Sequence, residues 1–198
     1  MDEVAAVVLA AGLSRRMGQP KMILPWGNTT VIGHVVQALM NGGLDQILVV
    51  TGGASRKVEE ALEGMSVQTV YNPRYEHDQM AFSLQVGLSS LSARTAAAMV
   101  VLGDQPQIES FVVKRLLQGY NEKPEPLIVP SYRMRRGHPW IIDRSLWSAV
   151  WSLKPPKTLR DFLNAHADQI RYLKFDTPSV LGDLDTPSDY ERERPGEL

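Results

Sequence analysis

Four places in the chain combine residue types that could do chemistry. The first is Leu9-Ala10-Ala11-Gly12-Leu13-Ser14-Arg15-Arg16-Met17-Gly18-Gln19-Pro20-Lys21. Ala10, Ala11 and Gly12 lack bulk, so backbone N–H groups there can approach a ligand closely, and Gly18 adds a second flexible point. Arg15, Arg16 and Lys21 bring cations to the same loop. Small residues plus cations suit a triphosphate. The segment is neither a Walker loop, since Lys21 follows Pro20 rather than Gly, nor a Gly-x-Gly-x-x-Gly fingerprint. A solvated basic loop with a Gly turn explains the same residues without a ligand.

The second place is Gly103-Asp104-Gln105-Pro106, where a carboxylate follows the apolar run ending at Leu102. Mg²⁺ takes one or two carboxylates plus phosphate oxygens, which suits Asp104; an Asx turn or a helix cap suits it equally. The third is Gly182-Asp183-Leu184-Asp185-Thr186-Pro187-Ser188-Asp189. Asp183 and Asp185 alternate, so in an extended segment they share a face, and one of them can join Asp104 on a metal. Thr186 or Asp185 also suits the cap of a helix beginning at Pro187. We assign Asp183 as the ligand and Asp185 as the cap.

The fourth place is Tyr132-Arg133-Met134-Arg135-Arg136-Gly137-His138-Pro139. Arginine forks match phosphate oxygens, so Arg135 and Arg136, with Gly137 and His138 beside them, suit a phosphorylated second substrate. A solvated hairpin tip and a satisfied imidazole are the plainer alternatives. Ser83, at the start of a helical stretch after Asn72-Pro73, can bond a ribose or a phosphate.

The elements that must position these residues alternate. Apolar runs at Val4–Ala10, 46–51, 67–71, 96–102 and 127–129 read as strands, and stretches near 31–40, 54–62, 80–91 and 109–119 as helices. Such alternation predicts an α/β fold with a mostly parallel sheet, helices on both faces, and ligands at the strand C-termini. After Pro130 the rhythm changes: a basic turn to Gly137, a return strand at 138–142, short helices near 144–151 and 158–166, and a strand at Ile170–Lys174 predict a mixed C-terminal part of the sheet. The tail from Glu191 is polar and reads as frayed.

Composition narrows the function classes. The chain has 198 residues, 21 Lys plus Arg against 22 Asp plus Glu, and no cysteine. Near-zero net charge argues against a protein that wraps nucleic acid. The lack of cysteine removes disulfides, thiolate metal sites and Cys nucleophiles. No run reaches the ~18 apolar residues of a membrane span, and Met1-Asp2-Glu3 is acidic rather than a basic leader start. A soluble, cytoplasmic protein is expected, with no nucleic-acid or membrane partner.

The motifs together resemble the molybdopterin nucleotidyltransferase family, the NTP-transferases that include molybdenum cofactor cytidylyltransferase and molybdopterin guanylyltransferase. Leu-Ala-Ala-Gly-x-Ser-x-Arg-Met-Gly-x-Pro-Lys at Leu9–Lys21 is similar to that family's signature loop. Gly103 to Pro106 resembles its Gly-Asp-x-Pro turn, Asp183 to Asp189 its Asp-x-Asp-Thr-Pro-x-Asp, and Gly137-His138-Pro139 its Gly-His-Pro. The likeness runs in order from Val7 to Tyr190. It departs at Gln105, where relatives often carry Met, and at Asp78, where they usually carry Gly.

The resemblance implies a Rossmann-like three-layer nucleotidyltransferase fold, with residues 1–198 forming one NTP-transferase (nucleotide-diphospho-sugar transferase-like) domain. It implies that Leu9, Ala10, Ala11 and Gly12 meet the base and that Ser14, Arg15, Arg16, Gly18, Lys21 and Ser83 complete the nucleotide site. Arg16 and Lys21 would contact phosphates, and Asp104 would hold Mg²⁺ together with Asp183. The implied reaction moves CMP from CTP onto molybdopterin or its molybdenum-loaded form, releasing pyrophosphate, with a molybdenum hydroxylase as a possible partner. Ala11 is the cytidylyl-like choice, since guanylyl relatives usually carry Gly there. The alternatives are a GTP-using guanylyltransferase, a sugar- or alditol-phosphate nucleotidyltransferase and, in a different class, a non-catalytic nucleotide or cofactor carrier.

Overall fold

In the computed structural model the described residues are 3–77 and 79–196, so Asp78 lies outside them, as do both chain ends. The strands are β1 (Glu3–Ala10), β2 (Pro25–Trp26), β3 (Thr29–Thr30), β4 (Ile47–Thr51), β5 (Gln68–Tyr71), β6 (Thr95–Leu102), β7 (Leu127–Tyr132), β8 (Arg135–Arg136), β9 (Trp140–Asp143) and β10 (Ile170–Lys174). The helices are α1 (Val31–Asn41), α2 (Ser55–Ala61), α3 (Met80–Ser90), α4 (Ser110–Glu122), α5 (Trp147–Trp151), α6 (Leu159–Ala165) and α7 (Pro187–Glu193).

The main sheet runs β10-β7-β9-β6-β1-β4-β5, with β8 paired to β7. β1 is parallel to both β4 and β6, and every described side chain from Ala5 to Ala10 is buried, which is why this strand reads as an unbroken apolar run. Its residues alternate between two cores. Ala6, Val8 and Ala10 face a cluster with Val35 and Leu39 of α1, Val58 of α2 and Leu116 of α4. Val7 and Leu9 face one with Leu84 and Leu88 of α3, Val150 of α5 and Phe162 of α6. Helices on both faces of a mixed, mostly parallel sheet make the expected three-layer α/β fold.

The chain passes from β1 outward to β4 and β5, then returns over the sheet through α3 to β6 on the other side of β1. The strand order therefore reverses at β1, and loops leaving β1 and β6 open the crevice where open α/β sheets bind ligands. β9 supplies the expected irregularity, pairing antiparallel with β6 and β7.

Two expectations need correction. Pro130 lies within β7 rather than in a turn. β9 pairs with β7 only at Leu127 and Ile128, so no ladder donor is missed on that side at Pro130, and its carbonyl accepts from Gly137 N–H. The tail is helical through Glu193, because Thr186 and Asp189 form a reciprocal capping box with Pro187 in the first turn.

A third, small core matters more for the site than its size suggests. Met17 of the first loop, Leu24, Trp26 of the β2–β3 hairpin, Val31 of α1 and Leu184 of the second acidic turn pack together, with Tyr190 of α7 against them. Tyr190 Oη also donates to the Pro25 carbonyl at 2.7 Å. Fully burying one leucine side chain stabilises by about 1.5–3 kcal/mol. Leu184 thereby holds residues 183–185 against the loop that carries Lys21.

Candidate active site

A cleft of about 350 Å³ opens where β1 and β6 end, and Leu9, Ala11, Gly12, Arg16, Lys21, Ser83, Asp104 and Asp183 all line it. Residues distant in sequence meet here because each follows a strand or is pinned to one. Gly103 N–H donates to the Leu9 carbonyl at 3.1 Å, joining the two strand ends. Leu184 N–H donates to the Asp104 carbonyl at 2.9 Å, which brings the C-terminal acidic turn to the same place. With Leu184 pointing into the third core, Asp183 and Asp185 both face the cleft, as their alternation predicts.

Lys21 is the centre of this arrangement. Its ammonium is paired directly with the Asp104 carboxylate, donates to the Leu184 carbonyl at 2.9 Å and lies 3.6 Å from Asp185 Oδ1. The side chain is only 11% exposed. Arg16 behaves differently: it is 69% exposed and reaches Asp185 Oδ2 at 2.8 Å. A buried ammonium with three oxygen partners is fixed in place, whereas an exposed arginine on one carboxylate is free to swing to an incoming phosphate.

This placement corrects the assignment of Asp185. Thr186 caps α7 by accepting from Asp189 N–H, so Asp185 is not the cap. It is instead the bridge between Arg16 and Lys21. Among the described residues no cation pairs directly with Asp183. Burial pushes its carboxyl above the ordinary carboxylate range, and the like charges of Asp185 and Asp104 push the same way against a smaller opposing pull from Lys21.

That electrostatics bears on the metal. Asp183 and Asp104 are oxygen donors facing one cleft with more negative charge than Lys21 neutralises, and a divalent cation that also takes phosphate oxygens fits such a donor set. Among the described residues no three His, Asp or Glu side chains converge into a closed cage.

The structure sorts the rest of the first loop. Ser14 sits at a positive φ of 50° and its carbonyl accepts from Met17 and Gly18 N–H, while its Oγ accepts from Lys21 N–H at 3.1 Å. Ser14 thus shapes the loop that delivers Lys21. Gly18, at φ 70°, lies in the left-handed region that favours glycine. Ala10 is buried in the sheet, and neither it nor Ser14, Arg15 or Gly18 lines the cleft. Ser83 does line it and accepts from the buried Asn72 Nδ2 at 3.1 Å.

The residues assigned to the acceptor stand apart from the cleft wall. Arg136 Nε donates to Tyr172 Oη at 2.8 Å and Nη1 to Asn164 Oδ1 at 2.7 Å, which ties it to β10 and α6. Arg135 is exposed on β8, and Gly137 is buried under Val180. His138 lies two residues before Trp140, the β9 residue that pairs with Val100 of β6, and its N–H donates to the Val180 carbonyl at 2.8 Å.

Burial lowers the His138 ring to a pKa of about 4, against a smaller opposing effect of the Val100 carbonyl, and among the described residues its Nδ1 has no hydrogen-bond partner. The ring is neutral in the folded protein, whereas in the unfolded chain it titrates near 6.5. The unfolded state thus binds the extra proton as pH falls from 6.5 towards 4, and stability is lost across that window. A urea-denaturation series at pH 7 and pH 4.5 is expected to show the wild type losing about 2 kcal/mol more than His138→Gln. Equal losses would show that His138 is not held neutral.

From the stretch 72–88 the sequence singles out only Ser83 by its chemistry, whereas Tyr75 and Gln79 of the β5–α3 connection and Met80 at the start of α3 also line the cleft, as does Met22. Sequence reasoning also missed the β2–β3 hairpin, although Gly27-Asn28 between Trp26 and Thr29 is a recognisable two-residue turn signal.

Comparison with known proteins agrees with this geometry. Residues 6–170 match the family model described as a MobA-like NTP transferase domain. The chain is 31% identical to nicotine blue oxidoreductase of Paenarthrobacter nicotinovorans, over 75% of each chain. It is 22% identical to molybdenum cofactor cytidylyltransferase of Escherichia coli K12, over 96% of this chain and 95% of that one. Among solved structures, Rv0371c of Mycobacterium tuberculosis H37Rv superimposes with a TM-score of 0.85 at 30% identity, covering 96% of both chains. The same protein has also been solved as a manganese complex, at a TM-score of 0.78. With its Lys21–Asp104–Asp183 cleft at the β1–β6 crevice, this chain belongs to the MobA-like NTP transferase family and is a nucleotidyltransferase.

Proposed function

We propose that the protein transfers CMP from CTP to the phosphate of a phosphorylated acceptor, with molybdopterin or the molybdenum cofactor as that acceptor. The observation that carries the reading is the buried Lys21 ammonium between Asp104 and Asp185, with Asp183 in the same cleft. An acceptor phosphate oxygen bonds to the α-phosphorus, the bond from the α-phosphorus to the bridging oxygen breaks, and pyrophosphate leaves with that electron pair. A phosphate monoester is mostly ionised at neutral pH, so the step needs no general base. What it needs is alignment and charge neutralisation. Arg16 and Lys21 hold the triphosphate. Asp104 and Asp183 would hold Mg²⁺, which supplies charge neutralisation on the phosphate oxygens. Arg135, Arg136, Gly137 and His138, which stand apart from the cleft wall, are assigned to the acceptor, and a molybdenum hydroxylase would receive the product.

Base choice is the finer part of the proposal. Ala11 is buried in the cleft wall, and its Cβ narrows the slot relative to a glycine. A pyrimidine tolerates that narrowing better than a purine, and one misplaced methyl is worth about 1–3 kcal/mol, or roughly 10–200-fold. In a competition of CTP, GTP and ATP for transfer to molybdopterin, CTP is expected to win, and Ala11→Gly to narrow its lead over GTP. GTP preference in the wild type would overturn the base assignment, and an unchanged preference in Ala11→Gly would overturn its mechanism.

A redox reading has one observation in its favour, the 31% identity to an enzyme named as an oxidoreductase. Lys21, Asp104 and Asp183 in one cleft favour phosphoryl chemistry over it, and also over a non-catalytic carrier, which has no use for metal-ligating carboxylates. Pyrophosphate release from CTP, set beside reduction of a redox dye in the same preparation, separates the three.

A further inference from the structure

The geometry points to Tyr75 as the aromatic wall of the nucleotide site, stacking on the base of the bound triphosphate; this rests on the donor reading above. The cleft is divided by chemistry. Arg16, Lys21, Asp104, Asp183 and Asp185 gather the charge, while the remaining lining residues are neutral. Tyr75 is the one aromatic among the described lining residues.

Its position follows from two bare residues after β4. A Cβ on Gly53 would sit 2.8 Å from Tyr75 Cε2. One on Gly52 would sit 2.6 Å from the Ala11 carbonyl oxygen and 2.8 Å from Tyr75 Cβ. Gly52 and Gly53 therefore form a shelf without side chains, and the loops after β1, β4 and β5 close on one another across it. The shelf seats Tyr75 beside Ala11, the residue assigned to the base. Tyr71 supports it, with ring centroids 6.0 Å apart and planes inclined at 59°. The hydroxyl lies 3.4 Å from the exposed Glu76 carboxylate. What Tyr75 offers the ligand is thus its ring face, and every nucleobase has a face to stack on it.

The test measures binding without an acceptor, by calorimetry with CTP and with inorganic tripolyphosphate, for wild type, Tyr75→Ala and Tyr75→Phe. Tyr75→Ala is expected to weaken CTP binding by roughly 5- to 100-fold, the scale of one base–aromatic stack, and to leave tripolyphosphate binding unchanged. Tyr75→Phe is expected to bind CTP as the wild type does. Equal weakening of CTP and tripolyphosphate in Tyr75→Ala would mean that the residue shapes the phosphate site, and would overturn the stack. An unchanged Kd for CTP in Tyr75→Ala would overturn this inference alone. A wild-type protein that binds no nucleoside triphosphate would overturn it together with the donor reading.

Discussion

An Asp104→Asn variant is expected to fold normally and to turn over roughly 10²- to 10³-fold more slowly than the wild type, the scale of losing one preorganised electrostatic partner. The fold should survive because the contact that Asp104 makes with the acidic turn is through its main-chain carbonyl, which accepts from Leu184 N–H. The Lys21 ammonium also keeps oxygen partners in Leu184 and Asp185. What the amide cannot do is carry charge to a divalent cation. Steady-state rates at saturating Mg²⁺, with a thermal melt alongside, check both halves. Near-normal activity in a folded variant would remove Asp104 from the mechanism.

On the proposed reading, in which Lys21 holds the triphosphate, Lys21→Met is expected to lower kcat/KM for the nucleoside triphosphate by roughly 10²-fold or more, since a buried charge is lost while its aliphatic stem is kept. A second effect has the opposite sign. Lys21 is the cation on Asp104 and the one that pulls the Asp183 carboxyl down. Without it the cleft is more negative, so Mn²⁺ should bind the nucleotide-free variant more tightly than the wild type. Titration of Mn²⁺ by magnetic resonance, beside kinetics with each substrate varied in turn, reads both. A change confined to the acceptor KM would show that Lys21 does not face the triphosphate.

The contrast between Ser14 and Tyr75 shows what could be read from the chain and what could not. The first loop was legible because its chemistry is local: small residues, cations and a strand end lie within Leu9–Lys21, and the structure sets Leu9, Ala11, Gly12, Arg16 and Lys21 on the cleft. Within that loop, type and spacing did not separate side chains that face the ligand from those that build the turn. Ser14 turns inward to Lys21 N–H, which depends on a positive φ that no residue type announces. Thr186 and Asp185 both suit the cap before Pro187 on residue type alone, and the capping box of Thr186 with Asp189 decides between them. Tyr75 was invisible because its meaning comes from Gly52 and Gly53, about twenty residues away in the chain and in contact across the fold.

The alternation of strands and helices predicted the three layers, because β1 and β6 are buried on both faces and read as apolar runs. The two-residue strands β2 and β3 carry no periodicity to detect. They matter because Trp26 joins Leu184 and Met17 in the small core that holds the acidic turn on the first loop.

The central claim is transfer of a nucleoside monophosphate to a phosphate monoester within the Lys21–Asp104–Asp183 cleft. Its most direct test is to incubate the protein with Mg²⁺, molybdopterin and CTP labelled at the α-phosphate, and to count labelled acceptor against pyrophosphate. The account predicts the two in equal amounts, both dependent on the acceptor and both lost in Asp104→Asn. Pyrophosphate formed without labelled acceptor, or neither product from CTP, GTP or ATP, would contradict it.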